Sequence, residues 1–392
     1  MKISDFKSSK SGQLVRTEGS NWAFLPDLLP PEVTPSSELF RLTSEADAEL
    51  GRLCGLIDQM SDPETLFMNF MRREAILSSR IEGTHSTIAR VALVQASNAK
   101  AGSRDDIEVN NYVEAMKLGM KRCVEIKLGT TFIRELHARL LRDATRTGVT
   151  AGKERAHQVL VGGDGSYSTA RYVPPPPQNV APLMENLEAF LQDESLPVLI
   201  RAAIAHYQFE AIHPFDDGNG RVGRILISTL LGKAGRLNAP VLYLSAYFER
   251  YKLQYYDHLL AVSQKGAWED WFIFFLRGVK EQARDGAVRA DRLHKLRQYY
   301  YDMLSTPRTS ATMGRLIDAL FRVPVTTVPW AAIDMGVSHK PAKESIKKLV
   351  AKGVLERSIK IGNLQCYSAS GIDAVLDIPT EDVLDAGHQA GS

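Results

Sequence analysis

From Ser37 to Met60, apolar residues recur at Leu39, Leu42, Ala46, Leu50, Leu53 and Ile57, the spacing of one helical face. Ser61-Asp62-Pro63 then reads as a cap followed by proline at the first helical position. The helix that follows turns Leu66, Phe67, Phe70, Met71, Ile76 and Leu77 inward and stops at Gly83, a residue suited to the left-handed helix end. Helical spacing continues over 107–127 and 130–146. The pattern changes at His157. The stretch HQVLVGGDGSYSTARYVPPPP sets β-branched and aromatic residues around glycines and predicts a hairpin or flap, and its run of prolines bars helix until about Asn179. Pro197 opens a helix that reaches about Ile212. His213 precedes Pro214, which disfavours helical geometry, so the chain breaks there, turns through Gly218-Asn219-Gly220 and re-enters a helix over 221–231. An aromatic-rich helix is expected over 261–280.

The carboxyl part has a different texture. Three short helical patterns, 316–321, 330–335 and 340–352, precede an alternating stretch over 354–369 that carries the hairpin signal Gly362-Asn363. Gly336-Val337-Ser338 joins the second helix to the third, as in a helix-turn-helix. Three helices and a hairpin read as a winged helix. The expected fold class is mainly α: a helical core with a small β-hairpin flap and an α+β carboxyl-terminal domain. The expected division is a helical lobe over 1–115, a catalytic core over 116–285, a helical linker over 286–308, the winged helix over 309–378 and a loose tail over 379–392.

A chain of 392 residues has ample core for two or three domains. A net charge of +2 gives no sign of a general polyanion binder. Cys54, Cys123 and Cys366 are few, far apart and odd in number, so neither a disulfide framework nor a zinc site is indicated, and a reducing, cytoplasmic setting is expected. The polar amino end has no signal-peptide core, and no apolar run is long enough to span a membrane.

The chemistry concentrates in IHPFDDGNGRVGRI, residues 212–225. Gly218, Asn219 and Gly220 sit at a helix start, where free amides and the positive dipole end make an anion cradle. Arg221 and Arg224, three apart, share a helical face and suit phosphate. Asp217 beside such a site would repel phosphate unless a cation intervened, and Mg²⁺ on one carboxylate and phosphate oxygens resolves the conflict. His213, just ahead of the cradle, can take a proton from an attacking hydroxyl. Zinc-type spacing is absent, and so is a GxxxxGK[ST] loop.

The stretch His213 to Arg224 resembles the full signature of the Fic (Fido) family, HxFx(D/E)GNGRxxR, with no position departing from it. The resemblance implies transfer of AMP from ATP to a protein Ser, Thr or Tyr hydroxyl, self-modification included. It makes His213 the general base and Asp217 the Mg²⁺ ligand. Gly218, Asn219 and Gly220 become the phosphate cradle, Arg221 a phosphate ligand and Arg224 the γ-phosphate ligand. Phe215 is expected to be buried and to anchor the loop. The stretches 133–137, Val161-Gly162-Gly163 and 172–177 are also similar to the family, as is Tyr255-Tyr256. Val161, Gly162, Gly163 and Asp164 are thereby placed near the nucleotide, and Tyr255 and Tyr256 by its adenine or ribose; ordinary helix packing is the other reading of the two tyrosines.

Ser78-Ser79-Arg80-Ile81-Glu82-Gly83 resembles the family's inhibitory motif, (S/T)xxxE(G/N). A carboxylate can pair bidentately with an arginine. If Glu82 pairs with Arg224, the γ-phosphate loses its partner, with Ser78 one turn away steadying that region. Removal of AMP from modified proteins is the alternative activity, and a DNA-binding regulator with a nucleotide-sensing core is the alternative class. From 340 to 360 there are six lysines and Arg357 against Glu344 and Glu356, so the third helix of the winged helix is a candidate for DNA, with a solvated protein-binding face as its counter-reading. Family members often dimerise, but no interface is readable here.

Overall fold

The computed structural model describes residues 1–60, 62–96, 102–143, 149–237, 239–304, 311–361 and 363–389. The expected cap at Ser61, the hairpin apex at Gly362, residues 144–146 of an expected helix and 305–308 of the expected linker lie outside them.

The lobe expected to be helical opens with an antiparallel hairpin, β1 (Gly12–Arg16) and β2 (Trp22–Pro26), in register from Gly12 with Pro26 to Arg16 with Trp22. Helix α1 (Ser37–Asp58) follows, its start capped by the Ser36 side chain accepting from the Leu39 amide. It buries Leu39, Leu42, Ala46, Leu50, Leu53 and Ile57, the face its periodicity predicts. Helix α2 (Pro63–Ile81) ends just ahead of Gly83, which has φ +86° as its predicted role requires. After α3 (Ile88–Ala96), a reciprocal box of Ser103 and Asp106 caps α4 (Arg104–Arg122). Helix α4 runs straight through the expected boundary at 115, with Tyr112, Val113, Ala115 and Met116 all buried, so lobe and core share one element. Helix α5 (Thr130–Leu140) precedes the coil that carries the flap.

The flap departs from the expected hairpin. Val161 and Tyr172 form a single antiparallel bridge, with no regular strands. Gly162, Gly163 and Gly165 adopt φ of +71°, +78° and +90°, and the backbone turns where a ladder would need extension. The bridge packs against the amino-terminal hairpin: the Phe24 amide donates to the Val173 carbonyl, and Phe24 lies against Tyr172.

Helices α6 (Val180–Leu191), α7 (Val198–Ile212) and α8 (Asn219–Lys233) follow. α7 and α8 pack against each other and are buried almost all round, the mark of a central helix pair. Beyond α9 (Ser245–Arg250), the helix expected over 261–280 is two: α10 (Lys252–Lys265) ends at Gly266, φ +69°, and α11 (Trp268–Leu304) begins after it. α11 is unbroken through most of the expected linker. It lies along α1, where Lys280 pairs with Glu45 and Arg284 with Glu49.

The carboxyl-terminal unit comprises α12 (Ala311–Arg322), β3 (Val325–Thr327), α13 (Val328–Met335), α14 (His339–Ala351), β4 (Glu356–Ile361) and β5 (Leu364–Ser368). Its antiparallel sheet has the order β3-β5-β4, and Gly336, φ +66°, turns α13 into α14 at the expected break. Residues 380–389 of the expected tail are helical, and the rest of that tail lies outside the described residues: α15 (Ser370–Asp377) and α16 (Thr380–Gln389) dock on α11. The Arg289 guanidinium donates to the carbonyls of Val375, Leu376 and Ile378, and Val383 is buried. The unit also grips α2, where the Asn69 amide donates to the Phe321 carbonyl at 2.6 Å. Among the described residues no helix is long and apolar enough to cross a membrane.

The α1–α11 seam sets a first expectation. Leu53 is fully buried, with Cδ2 3.2 Å from where a Gly286 side chain would begin. Leu53→Ala is expected to cost about 2–5 kcal/mol, read as a lower midpoint of denaturant unfolding. An unchanged midpoint contradicts the packing.

Candidate active site

Helix α7 ends on His213, which takes φ +50°, ψ 60°, a left-handed conformation rare for a residue with a side chain. The surroundings hold it there. Arg155, 3% exposed, donates from Nε to the His213 carbonyl at 2.8 Å and from its terminal nitrogens to the carbonyls of His157, Pro175 and Ile212. Phe215 is buried as expected and stacks on the His137 ring at 3.8 Å. His137 Nδ1 accepts the Gly152 amide, which leaves Nε2 to donate to the Asp217 carbonyl at 2.9 Å. Burial lowers the His137 pKa to about 4, so the ring is neutral and this tautomer is available.

The Asn219 side chain is used within the loop: Oδ1 accepts the Phe215 amide at 2.9 Å, and Nδ2 donates to the Phe215 carbonyl at 2.8 Å. These two bonds close the turn and fix the Asn219 side chain on the Phe215 backbone. Gly218 caps α8 with φ +83°, and the first-turn amides that follow have no acceptor within the helix.

His213 sits by a cavity of about 380 Å³. Glu82, Glu210, Gly220 and Arg224 line its polar end, and Tyr256, Leu259 and Leu260 give it an apolar wall. Val161 and Gly162 from the flap and Tyr255 from α10 also line it. Gly163, Asp164, Asp217, Gly218, Asn219 and Arg221 do not. Asp164 is turned into its own loop, where it accepts the Ser166 amide at 3.1 Å. Tyr255 is buried, with its hydroxyl 2.7 Å from His206 Nε2, so for this residue the packing reading also holds. Arg221 is buried and doubly paired, with Glu108 of α4 at 3.1 Å and Asp217 at 3.4 Å.

Burial lowers the His213 pKa to about 4, with Arg155 acting in the same direction. Nδ1 faces the Glu210 carbonyl at 3.4 Å, so Nε2 is the basic nitrogen of the neutral ring. Arg224 is 3% exposed, and its partners come from the end of α2. Nε donates to Ser78 Oγ at 2.7 Å; Nη2 donates to the Ser78 carbonyl at 3.0 Å and to Glu82 Oε1 at 2.7 Å. The carboxylate therefore grips the guanidinium through one oxygen, where a bidentate pair was expected; Ser78 takes Nε and shares Nη2 with Glu82. Burial works against the Arg224 charge, yet the Glu82 charge beside it holds the pKa above the ordinary arginine value. A Cβ on Gly220 would run into Glu82 Oε1, so that carboxylate rests on the opening turn of α8, where an anion is favoured.

Among the described residues no group of three or more His, Cys, Asp and Glu is arranged for a metal. Asp217 Oδ1 already accepts the Gly218 amide at 2.7 Å. Its side chain is 28% exposed at the mouth of α8, a hard oxygen donor of the kind that holds Mg²⁺ together with phosphate and water. The residues fit such an ion.

Sequence reasoning gave no role to Arg155, His137, Glu108 or Glu210. A buried Glu108 is signalled only by its place beside the core residues Val109 and Tyr112. Arg155 lies in coil and has no local signal.

Residues 127–231 match the profile described as Fic/DOC family, and residues 40–121 match that described as Fic/DOC family N-terminal. The chain thus carries a Fic/DOC domain over 127–231, preceded by a Fic/DOC N-terminal segment over 40–121. It is 33% identical over 213 residues to the protein adenylyltransferase Fic of Drosophila virilis, covering 52% of this chain and 40% of that protein. The Drosophila mojavensis protein of the same name is 34% identical over 213 residues, with 52% and 39% covered. The chain thus spans about two fifths of the length of these curated relatives. A Fic family protein from Desulfovibrio desulfuricans shares the fold, with a TM-score of 0.55 at 21% identity over 87% of this chain and 98% of that one.

The electrostatics of the loop set a second expectation. In a proton NMR titration, His213 is expected to protonate with a midpoint near 4. A midpoint near the ordinary 6.5 contradicts the burial assigned to it.

Proposed function

We propose that this chain transfers AMP from ATP to hydroxyl side chains of proteins, its own included, and that Glu82 restrains the reaction. The observation that carries the reading is one cavity lined by His213, Gly220 of the first turn of α8 and Arg224, together with the apolar Tyr256, Leu259 and Leu260 that suit a nucleobase. A neutral His213 Nε2 takes the proton of the incoming hydroxyl. The hydroxyl oxygen forms its bond to the α-phosphorus, the bond to the bridging oxygen breaks, and pyrophosphate leaves. The chain contributes mainly position and fixed charge: a cradle of amides at α8, Arg224 for the terminal phosphate, and a loop held rigid by Arg155, His137 and Asn219. Val161 and Gly162 border the nucleotide from the flap, and Tyr256 faces its base. Asp217 would hold Mg²⁺, which when bound offsets the charge of the phosphates. Arg221 acts by orienting Asp217, given its pairing with that residue and Glu108.

Glu82 occupies the place the terminal phosphate needs, on the same guanidinium and against the same helix turn. ATP in the restrained protein therefore lacks the grip that orients its α-phosphorus. The three free cysteines accord with a reducing, cytoplasmic setting.

With α-labelled ATP, Glu82→Gly is expected to raise label on protein by at least about tenfold, which corresponds to about 1.4 kcal/mol of competition removed. His213→Ala in that background is expected to remove about 10²–10⁴ of the rate. Mass spectrometry is expected to find added AMP. Added phosphate, or label that survives His213→Ala, contradicts the reading.

We propose further that the carboxyl-terminal unit is a winged helix that contacts duplex DNA. The favouring observation is α14, whose outward side exposes Lys340, Lys343, Lys347 and Lys348, with Lys352 just beyond. Binding to random duplex is expected to weaken steeply with salt, with a log–log slope of about −0.9 per phosphate neutralised. No binding at low salt contradicts it and leaves a protein-binding face.

A further inference from the structure

Glu210 has no part in the chemistry above, yet it lines the cavity at the same end as Arg224 and Gly220. Its Oε1 is buried and, among the described residues, has no hydrogen-bond partner. Most buried carboxyl oxygens are partnered, because an unpaired one costs the full desolvation of the group. The fold makes room for this one. A Cβ on Gly223 of α8 would stand 2.7 Å from Glu210 Oε1 and 3.2 Å from His206 Nδ1, so the glycine lets both side chains approach the phosphate end.

We propose that Glu210 is a phosphate-contacting residue that carries its proton and donates its O–H to an oxygen of the distal phosphates of the nucleotide. This rests on the nucleotide reading of the cavity given above. The groups facing Glu210 make a neutral carboxyl the form that works. Arg224 comes from α8, Glu82 from the end of α2, Tyr255 and Tyr256 from α10, and His206 and His213 from its own helix. Arg224 is the one cation of this set at neutral pH, and it is already committed to Glu82 in the restrained protein and to the terminal phosphate in the active one. An ionised Glu210 would compete for that guanidinium and repel the phosphate. A protonated one does neither, and supplies a donor at the same end of the cavity as Arg224 and Gly220. Burial drives the group the same way, pushing its pKa to about 8, with Glu82 adding to the rise and Arg224 opposing it.

The test is ATP binding by calorimetry, in Mg²⁺, to Glu82→Gly and to Glu82→Gly/Glu210→Gln at a series of pH values. Gln keeps a donor and cannot ionise. Glu82→Gly is expected to bind ATP more weakly as pH rises through the Glu210 transition, approaching about tenfold per pH unit beyond it. The double variant is expected to lose that dependence, and AMP, which lacks distal phosphates, to show no difference between the two proteins. Superimposable ATP curves, or an equal effect on AMP, overturn the role of Glu210 while the nucleotide reading stands. No ATP binding by Glu82→Gly at any pH overturns both. Glu82→Gly alone gives a second readout, independent of how Glu210→Gln folds. Its protonated-carboxyl infrared band is expected to shift to lower frequency on adding ATP at neutral pH, and an unmoved band contradicts the contact.

Discussion

A buried guanidinium needs an anion, and the centre of this molecule is built on who supplies it. Arg224 is 3% exposed and sits one turn into a helix whose start already favours negative charge. Glu82 satisfies it from α2 through a 2.7 Å contact. A triphosphate would satisfy it as well. Both cannot do so at once, so the same charge that would bind the nucleotide also docks the helix that would exclude it. Ser78, held on Nε at 2.7 Å, keeps the fork aimed in either case.

The imidazole beside that charge is made useful by constraint. A left-handed His213 holds only because Arg155 ties down its carbonyl and the neighbouring ones, while His137 and Asn219 hold the far side of the bend. None of these three needs to touch a nucleotide. They act through the loop, and their burial keeps both imidazoles neutral.

Much of this was legible in the chain, and the exceptions have physical causes. The inward face of α1 and the stop at Gly83 follow from local spacing and from one residue able to take positive φ, and the structure reproduces both. The bend at 213–220 was legible for the same reason. What failed depended on partners distant in sequence. The flap looked like a hairpin by composition, but its glycines turn instead of extending, and it docks on a β1–β2 hairpin that polar flanks concealed. Residues 380–389 looked loose because nothing local shows Arg289 waiting on α11 for the preceding carbonyls. The Asn219 side chain also closes the bend on the Phe215 backbone, a contact that composition does not reveal. Arg155 gave no signal at all.

The Phe321 and Leu376 carbonyls hold Asn69 and Arg73 midway along α2, and Arg224 holds Glu82 just past its end. The central claim is that Glu82 and the terminal phosphate compete for one guanidinium. A crystal structure of Glu82→Gly with ATP and Mg²⁺ tests it most directly. The account predicts the terminal phosphate on Arg224 and the α-phosphorus facing His213 Nε2. Nucleotide bound elsewhere, or bound in this cavity with Arg224 left to Ser78 alone, would contradict it.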